Sequence, residues 1–458
     1  MIALIALVVS ITLIYLLLPA FNSLSNKEMP FGYILQTPVL LSLLGIVVFA
    51  GVVGGGYPAF YLSGFNPVNV LKGKLASKGK SVFFRKSLVV AQFAISVFML
   101  ISTLIVFDQL SYMRNKDLGF DKSNVLRLSL SRETINNAGV LTERLKQISE
   151  VERVGRANSS PGQGIGKLPM QVDDNEGKLV DRGVDLFSAD YDFVKALGIE
   201  IVQGRDFSRD IPSDTLFAVL VNEAMVKRMA WNNPIGKRFV FDGQNGPLEK
   251  KVVGVIKDYH QNSLYDAIEP LMILRGDQLR FVFVKTKSGD VRQSLASIEK
   301  AWKDVYPNNP FEYNFLDQDF DSQYKADEKR STIFTAFSGL TIFIACLGLL
   351  GLAAFTTEQR TKEIGIRKIV GASVTGLVTL VSKEFFLLVG LGLVLAFPVA
   401  WYFTDGWLQN FPYRIELKNQ WPTFLVSALL AFMITMVTAG YHVLRAAVAN
   451  PVRSLRDE

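Results

Sequence analysis

The sequence predicts a polytopic α-helical membrane protein of about six transmembrane helices with one mixed α/β extracytoplasmic domain. Hydrophobic residues make up 49% of the 458 residues. Mean hydropathy is +0.26, and the apolar residues are gathered in long uncharged runs. One polar stretch of roughly 220 residues, between the third and fourth runs, is long enough to fold in water as a domain of its own.

Six uncharged runs are each long enough to cross a bilayer of about 30 Å as a helix. The first run has no basic stretch ahead of it and no small-residue cleavage pattern before Pro19. We therefore expect a retained helix rather than a cleaved signal peptide. The predicted spans are residues 1–18, 34–63, 87–107, 331–357, 385–403 and 421–444.

The loop between the second and third spans carries several cations and no acid. Because basic loops are retained in the cytoplasm, this loop predicts the orientation of the whole chain. Alternation then places residues 109–330 outside, and residues 358–373 and the basic C-terminal tail inside. Topology thus explains the net charge of +7, and we predict no nucleic-acid binding. The loop cations are Lys72, Lys74, Lys78, Lys80, Arg85 and Lys86.

The polar stretch, residues 109–330, mixes strand-like and helical patterns and therefore predicts a mixed α/β domain. The single cysteine, Cys346, falls inside the fourth span, so this domain has no disulfide or thiolate metal site to stabilise it. A charged helical pattern over residues 317–330 runs into the fourth span. Predicted strands cover residues 125–130, 238–241, 251–256 and 280–286, and predicted helices cover residues 136–148, 222–231 and 291–305.

An internal repeat relates the second span to the sixth. Chance matches between apolar helices explain shared Leu and Val but not shared Gly-Tyr or Asn-Pro-Val, so duplication is favoured. We expect the first two spans to end a preceding repeat, with Met1 as an internal start or a boundary within a longer protein. One ungapped offset aligns Gln36 with Gln420, Gly56-Tyr57 with Gly440-Tyr441, and Asn66-Pro67-Val68 with Asn450-Pro451-Val452.

Motifs that would carry chemistry are weak in this sequence. Gly79-Lys80-Ser81 is close to a phosphate-binding loop, but Lys74 stands where that motif needs glycine, and no strand precedes it. His260 and His442 are far apart, and no His, Cys or carboxylate group has metal-ligand spacing. His260 follows a strand-like run and is interpreted as a loop or packing residue rather than a base. We predict no catalytic residues, no bound cofactor and no metal site.

Residues 358–373, EQRTKEIGIRKIVGAS, form a charged segment between the fourth and fifth spans. Its net basic charge predicts a short helix on the cytoplasmic face. Glu358 and Glu363 add nothing to a positive-inside signal, which favours docking of a cytoplasmic partner over topology alone. At the start of the fifth span, Lys383 and Glu384 fit charges at headgroup level better than an ion path.

Two sets of segments carry a family resemblance. In the membrane region these are EQRTKEIGIRKIVGAS, SKEFFLLVGLGLVLAFPVAWYFTDGWLQNFPYRIEL and the terminal ANPVRSLRDE. In the outer region they are LGIEIVQGRDFS, VLVNEAMVKRM, NPIGKRF and VVGVIKDYHQNSLYDAIEPLM. Together they resemble the permease subunits of the FtsX-like, MacB-type ABC transporter superfamily, including the MacB-like periplasmic core domain.

The resemblance implies a division of the chain into five parts. A family unit has one span, a large extracytoplasmic domain and three further spans, which corresponds to residues 87–458. Residues 1–74 resemble the last two spans of a preceding permease repeat, as in a fragment of a double-length member. The other parts are residues 75–86 as a basic cytoplasmic linker, 87–108 as a transmembrane helix, 109–330 as the periplasmic core domain, and 331–458 as the FtsX-like permease domain.

The resemblance also implies a function in the bacterial cytoplasmic membrane. A separate cytoplasmic ABC ATPase subunit would bind ATP, and this chain would couple hydrolysis to movement of the outer domain. The outcome is export or extraction of a hydrophobic substrate, peptide or lipoprotein. The alternatives are a non-transporting relay that controls an envelope enzyme or sensor, and a membrane receptor with no ATPase. Further implied partners are a second permease copy or half, an envelope protein and membrane lipid.

In this family the charged segment is the helix that couples the permease to the ATPase. Its charges would pair with a groove on the ATPase, while Gly365 and Gly371 would permit close backbone approach or a helix end. The residues expected to make the contact are Glu358, Arg360, Glu363, Gly365, Arg367, Lys368 and Gly371.

Overall fold

The computed structural model describes residues 2–25, 27–63, 78–243, 246–359 and 361–448. The chain divides into two compact units. The membrane unit comprises Met1–Gln109, Ala326–Trp407 and Ile415–Glu458. The soluble unit comprises Leu110–Lys325 and Leu408–Arg414.

Long apolar helices build the membrane unit. Five helices of the described residues are long and apolar enough to cross a membrane, and the part of a sixth over Thr37–Val52 is apolar as well. The helices that contain the third, fourth and fifth predicted spans extend beyond them, because helical backbone continues into polar and charged flanks, whereas the second begins only at Thr37. In chain order the α-helices of the described residues are α1 (Ile2–Ser25), α2 (Thr37–Ser63), α3 (Lys78–Asn115), α4 (Ala138–Lys146), α5 (Phe193–Ala196), α6 (Asp214–Phe217), α7 (Glu223–Arg228), α8 (Val291–Val305), α9 (Leu316–Gln359), α10 (Thr361–Ile369), α11 (Val374–Leu408) and α12 (Trp421–Val448).

Small and hydroxyl side chains bring helices of the membrane unit together. Between α3 and α9, the Thr103 and Ser338 hydroxyl oxygens lie 2.7 Å apart. Gly392 on α11 faces α3 so closely that a Cβ there would lie 3.1 Å from Cβ of Phe93. Without a hydrophobic drive between helices in lipid, close contact of this kind and interhelical hydrogen bonds hold a bundle together.

The soluble unit has the mixed α/β fold that the sequence predicts. Helix α8 covers the predicted residues 291–305, and the four predicted strands all lie within or around observed strands. The strands are β1 (Val125–Ser129), β2 (Val151–Ala157), β3 (Lys167–Asp173), β4 (Leu179–Ala189), β5 (Ile201–Gly204), β6 (Ala218–Asn222), β7 (Arg238–Gly243), β8 (Gly246–Ile256), β9 (Leu271–Arg275), β10 (Phe281–Thr286) and β11 (Tyr313–Phe315).

The strands form a closed barrel with a sheet attached to it. The order β4-β3-β7-β8-β6-β9 closes because β9 pairs with β6 on one side and in parallel with β4 on the other. The order β11-β1-β10-β2 continues from the barrel through a single pairing of Ala157 on β2 with Ala189 on β4. Closure leaves these six strands without a free edge along the barrel.

Each part of the soluble unit has its own apolar core. The barrel strands share a cluster that includes Val172, Phe239 and Met272, all buried. Against the attached sheet, α4 and α8 bury Leu141, Ile298 and Trp302. Asp290 caps α8, because its side chain accepts hydrogen bonds from the main-chain N–H groups of residues 292 and 293.

Candidate functional site

The charged segment forms a helix of its own, α10, which follows the end of α9 and precedes α11. Its C-terminus is defined by Gly371, whose φ of +97° is a conformation that favours glycine. The N–H of Ala372 donates to the carbonyl of Arg367, and the N–H of Gly371 donates to that of Lys368. These two bonds are those of a Schellman motif, so Gly371 ends this helical segment.

A second cap begins α11 directly afterwards. The side-chain oxygen of Ser373 accepts from the N–H of Gly376 at 3.1 Å, which satisfies one of the free donors of the first turn. The turn between α10 and α11 is therefore short and hydrogen-bonded at both ends, which limits how far the two helices can move apart.

The predicted contact residues are largely exposed where the structure describes them. Glu363 and Arg367 form an ion pair at 2.8 Å, one helical turn apart, with side chains 48% and 49% exposed. Glu358 is exposed in the last turn of α9. Lys368 is half-buried, and Gly365 lies within α10. Arg360 lies outside the described residues.

An apolar strip on the same segment was missed in the sequence. Ile366, Ile369 and Val370 are 55%, 62% and 81% exposed. They occupy positions i, i+3 and i+4, which lie on one side of a helix. The signal was present in the sequence as apolar residues within a charged segment, and it points to a protein contact with an apolar centre and a charged rim.

Charged side chains also join the helices next to this segment. Lys86 on α3 forms an ion pair with Glu384 on α11, and the guanidinium of Arg85 lies 4.1 Å from the ring centroid of Phe355 on α9. Glu384 therefore has a cationic partner that sequence reasoning did not identify. These contacts tie α3 to both helices that flank α10.

In the soluble unit, His260 is a packing residue, as the sequence interpretation held. It is 4% exposed, and its ring packs edge-on against Tyr413. Burial, together with the positive charge of Lys116, lowers the pKa of His260 to about 4, against a weaker opposing effect of Asp117. His260 is therefore neutral at pH 7. His442 lies on α12, and its side chain is outside the described part of the chain.

The described residues contain no group of three or more His, Cys, Asp or Glu side chains that could hold a metal ion. The features that remain are a bundle of apolar helices, an exposed charged helix between two of them, and an α/β unit with a closed barrel. They define a multi-pass membrane protein with one mixed α/β unit.

Family models match most of the chain. Residues 88–301 match the MacB-like periplasmic core domain, and residues 335–451 match the FtsX-like permease C-terminal domain. The chain belongs to the MacB-type family of FtsX-like ABC transporter permeases and is a multi-pass protein of the bacterial inner membrane.

Curated relatives share this region at low identity. The chain is 25% identical over 293 residues to the macrolide export ATP-binding/permease protein MacB of Sodalis glossinidius, a match that covers 60% of this chain and 44% of the relative. It is 26% identical over 288 residues to the protein of the same name from Campylobacter jejuni, covering 57% and 42%. The chain thus spans less than half the length of these relatives.

Solved structures similar to this chain cover its soluble part. The periplasmic region of MacB from Actinobacillus actinomycetemcomitans aligns with 46% of this chain and 97% of its own, at 15% identity and a TM-score of 0.32. The extracellular domain of the noncanonic ABC-type transporter YknZ from Gram-positive bacteria aligns with 42% and 97%, at 16% identity and a TM-score of 0.29.

Proposed function

We propose that this chain is the permease subunit of an ABC transporter that works with a separate cytoplasmic ATPase. The ATPase binds ATP and docks on α10, and its closure moves the two helices that flank α10 in the chain, α9 and α11. That movement reaches the extracytoplasmic domain and drives export or extraction of a hydrophobic substrate, peptide or lipoprotein.

The exposed surface of α10 carries this proposal. Ile366, Ile369 and Val370 expose apolar surface on a segment that the positive-inside rule assigns to the cytoplasm. Apolar side chains surrounded by charges such as Glu363 and Arg367 are typical of a protein–protein contact. The matched family models are those of a permease and a periplasmic core domain, which supports the permease part of the proposal.

A cavity among α3, α9 and α12 has a volume of about 20 Å³ and is lined by residues that include Val97, Ala345 and Ala431. That volume holds about one water molecule, whereas sites for drug-sized ligands have about 300–1,000 Å³. This cavity is therefore not a substrate site. The second candidate function, a relay that controls an envelope enzyme or sensor without carrying a substrate, shares the docking step.

Copurification from native membranes tests the docking step. The tagged full chain should retain an ABC ATPase, identified by mass spectrometry, and a Glu363→Lys, Arg367→Glu double variant should retain much less. The double exchange keeps an ion pair four residues apart, so α10 remains helical while the charges presented to a partner are reversed. ATP-dependent release of substrate from a reconstituted bilayer then separates a transporter from a relay.

The matched control exchanges another exposed ion pair. Arg144 and Asp304, 2.9 Å apart on the soluble unit, are about half-exposed like Glu363 and Arg367. An Arg144→Asp, Asp304→Arg variant should retain the ATPase fully. Retention of the ATPase by both double variants at the wild-type yield would contradict docking on α10.

A further inference from the structure

Asp185 and Gln261 form a buried polar pair in the soluble unit. Asp185 lies on β4, and Gln261 lies in the segment that connects β8 to β9. Both residues are 1% exposed, so bulk water cannot solvate either side chain. Their hydrogen-bonding groups must therefore be satisfied within the protein.

The Gln261 amide has a defined orientation. Its Nε2 donates to the main-chain carbonyl of Glu269 at 2.9 Å and to Oδ2 of Asp185 at 3.4 Å. Because a main-chain carbonyl only accepts hydrogen bonds, exchanging Nε2 and Oε1 would bring two acceptors together. Oε1 is therefore the amide atom that still requires a donor.

Two buried acceptors, Oε1 of Gln261 and Oδ1 of Asp185, have no hydrogen-bond partner among the described residues. The other polar atoms of the same two side chains, Nε2 of Gln261 and Oδ2 of Asp185, already form a hydrogen bond with each other. A carboxylic acid and an amide form a cyclic pair when the acid O–H donates to the amide oxygen and the amide N–H donates to the acid carbonyl. A single proton on Oδ1 would satisfy both atoms. We propose that the closed pair holds one proton on Oδ1 of Asp185, which donates to Oε1 of Gln261.

The charges around Asp185 support a neutral side chain. Lys167, its neighbour across the β3–β4 pairing, forms an ion pair at 3.2 Å with Glu269 and is thereby partly neutralised. Burial raises the pKa of Asp185, and Glu269 raises it further. The hydrogen bond from Gln261, the charge of Lys167 and the Asn262 amide act in the opposite direction, and burial outweighs them.

Asp173 on β3 provides the contrasting case in the same barrel. It is 4% exposed, and Arg238 donates to it at 2.9 and 3.0 Å. Burial alone would raise the pKa of Asp173, but the hydrogen bonds from Arg238 outweigh that effect and lower it. The 3.4 Å contact from the neutral Gln261 amide to Asp185 is longer than both bonds from Arg238 to Asp173.

The hydrogen-bonded pair fixes the segment around Gln261 and Asn262, which makes two further hydrogen bonds. The main-chain carbonyl of Gln261 accepts from the N–H of Gly162 at 2.8 Å, and Oδ1 of Asn262 accepts from the N–H of Ile165 at 3.2 Å. Loss of the proton would leave a buried carboxylate without a cation of its own. The segments around residues 160–166 and 261–270 should then open more often, so this proton makes the soluble unit pH-sensitive.

Hydrogen–deuterium exchange of the full chain in lipid nanodiscs tests the proposal. The proton is bound in the closed state and absent from the open state, so protection falls as pH rises and levels off above the closed-state pKa. Protection of residues 261–270 should fall as pH rises above about 4, the ordinary pKa of an aspartate, by up to tenfold per pH unit until the closed-state pKa is passed. The measurement is made in a His260→Gln background, since His260 titrates in part of that range with the opposite sign.

Asp185→Asn provides the diagnostic variant, because an Asn amide can donate to Oε1 at every pH. Protection in this variant should stay high and independent of pH. The matched control, Asp173→Asn, should lose protection throughout, because Arg238 needs an ionised partner. A flat profile at every pH above about 4 in the parent, or loss of protection in Asp185→Asn as in the control, would overturn the proposal. So would protection by added Ca²⁺ in the parent that Asp185→Asn lacks, because a cation would then neutralise the carboxylate.

Discussion

The phenol ring of Tyr413 packs edge-on against the imidazole of His260, with ring centroids 4.7 Å apart and ring planes at 80°. Its hydroxyl oxygen accepts from the N–H of Ile268 at 3.2 Å, and Nζ of Lys116 lies 4.9 Å from its ring centroid. Tyr413 belongs to Leu408–Arg414, a segment of the soluble unit that joins α11 to α12 along the chain. One side chain thus anchors a segment that is flanked by membrane helices on both sides.

Tyr413→Ala should loosen this segment. The substitution removes an aromatic contact and a hydrogen bond, together worth about 1–3 kcal/mol, so the segment should open about five- to a hundredfold more often. Arg414 is exposed and provides the readout, because trypsin cleaves after it when the segment opens. Tyr413→Phe keeps the ring and should raise the cleavage rate only about fivefold. The control is Phe217→Ala, at an aromatic residue that is 56% exposed. Equal cleavage rates of wild type and Tyr413→Ala would show that Tyr413 does not anchor this segment.

The same contact predicts a pH dependence. Folding lowers the pKa of His260 from 6.5 to about 4, so the folded state favours the neutral ring. Its contribution is fully present above about pH 6.5 and is lost as pH falls toward about 4, for a total of about 3 kcal/mol. Lys116, Asp117 and Tyr413 are the groups that face the ring.

The difference between wild type and His260→Gln isolates this contribution from other titrating groups. Denaturant unfolding of the soluble unit within the full chain, followed by tryptophan fluorescence across that pH range, provides the measurement. Wild type should lose more stability than His260→Gln as the solution is acidified. Parallel stability curves for the two proteins would mean that burial does not lower the pKa of His260.

The sequence predicted elements whose signals are local. The periodicity of residues 291–305 indicated α8 because every third or fourth residue is apolar, and the uncharged runs indicated the membrane helices. It did not indicate β3 and β4, because Pro169, Gly183 and several charges interrupt their alternation. Barrel closure depends on parallel pairing of β4 with β9, which are far apart in the chain. Local patterning carries no information about such pairings.

For the candidate sites too, the sequence indicated some residues and not others. The charged segment, residues 358–373, was chosen as a candidate from the sequence because Glu358 and Glu363 add nothing to a positive-inside signal. Ile366 and Ile369 were missed because apolar residues normally indicate burial, and their exposure is visible only in three dimensions. Asp185 and Gln261 lie on separate segments, and nothing local to either residue indicates the other.

Gly371→Ala should disorder the end of α10. Its φ of +97° is strained for any residue with a Cβ, at a cost of about 1–2 kcal/mol. Exchange of the N–H groups of Gly371 and Ala372 should therefore quicken about five- to thirtyfold, because their bonds to Lys368 and Arg367 open. Gly351→Ala is the control, because Gly351 lies in α9 with a helical φ and open space for a Cβ. Equal exchange in both variants would rule out the conformational role of Gly371.

Replacing both Ile366 and Ile369 by Ser should weaken ATPase binding. These side chains are exposed, so the substitutions remove no packing within the membrane unit, and each would lose about 1.5–3 kcal/mol only where a partner buries it. The dissociation constant of the ATPase that copurifies with the chain, measured in nanodiscs by biolayer interferometry, should rise by at least about a hundredfold. Leu216→Ser, at a residue 64% exposed on the soluble unit, should leave it unchanged. An unchanged constant in the double Ser variant, with the Glu363→Lys, Arg367→Glu variant still defective, would show that the contact is electrostatic and that the apolar strip faces lipid instead.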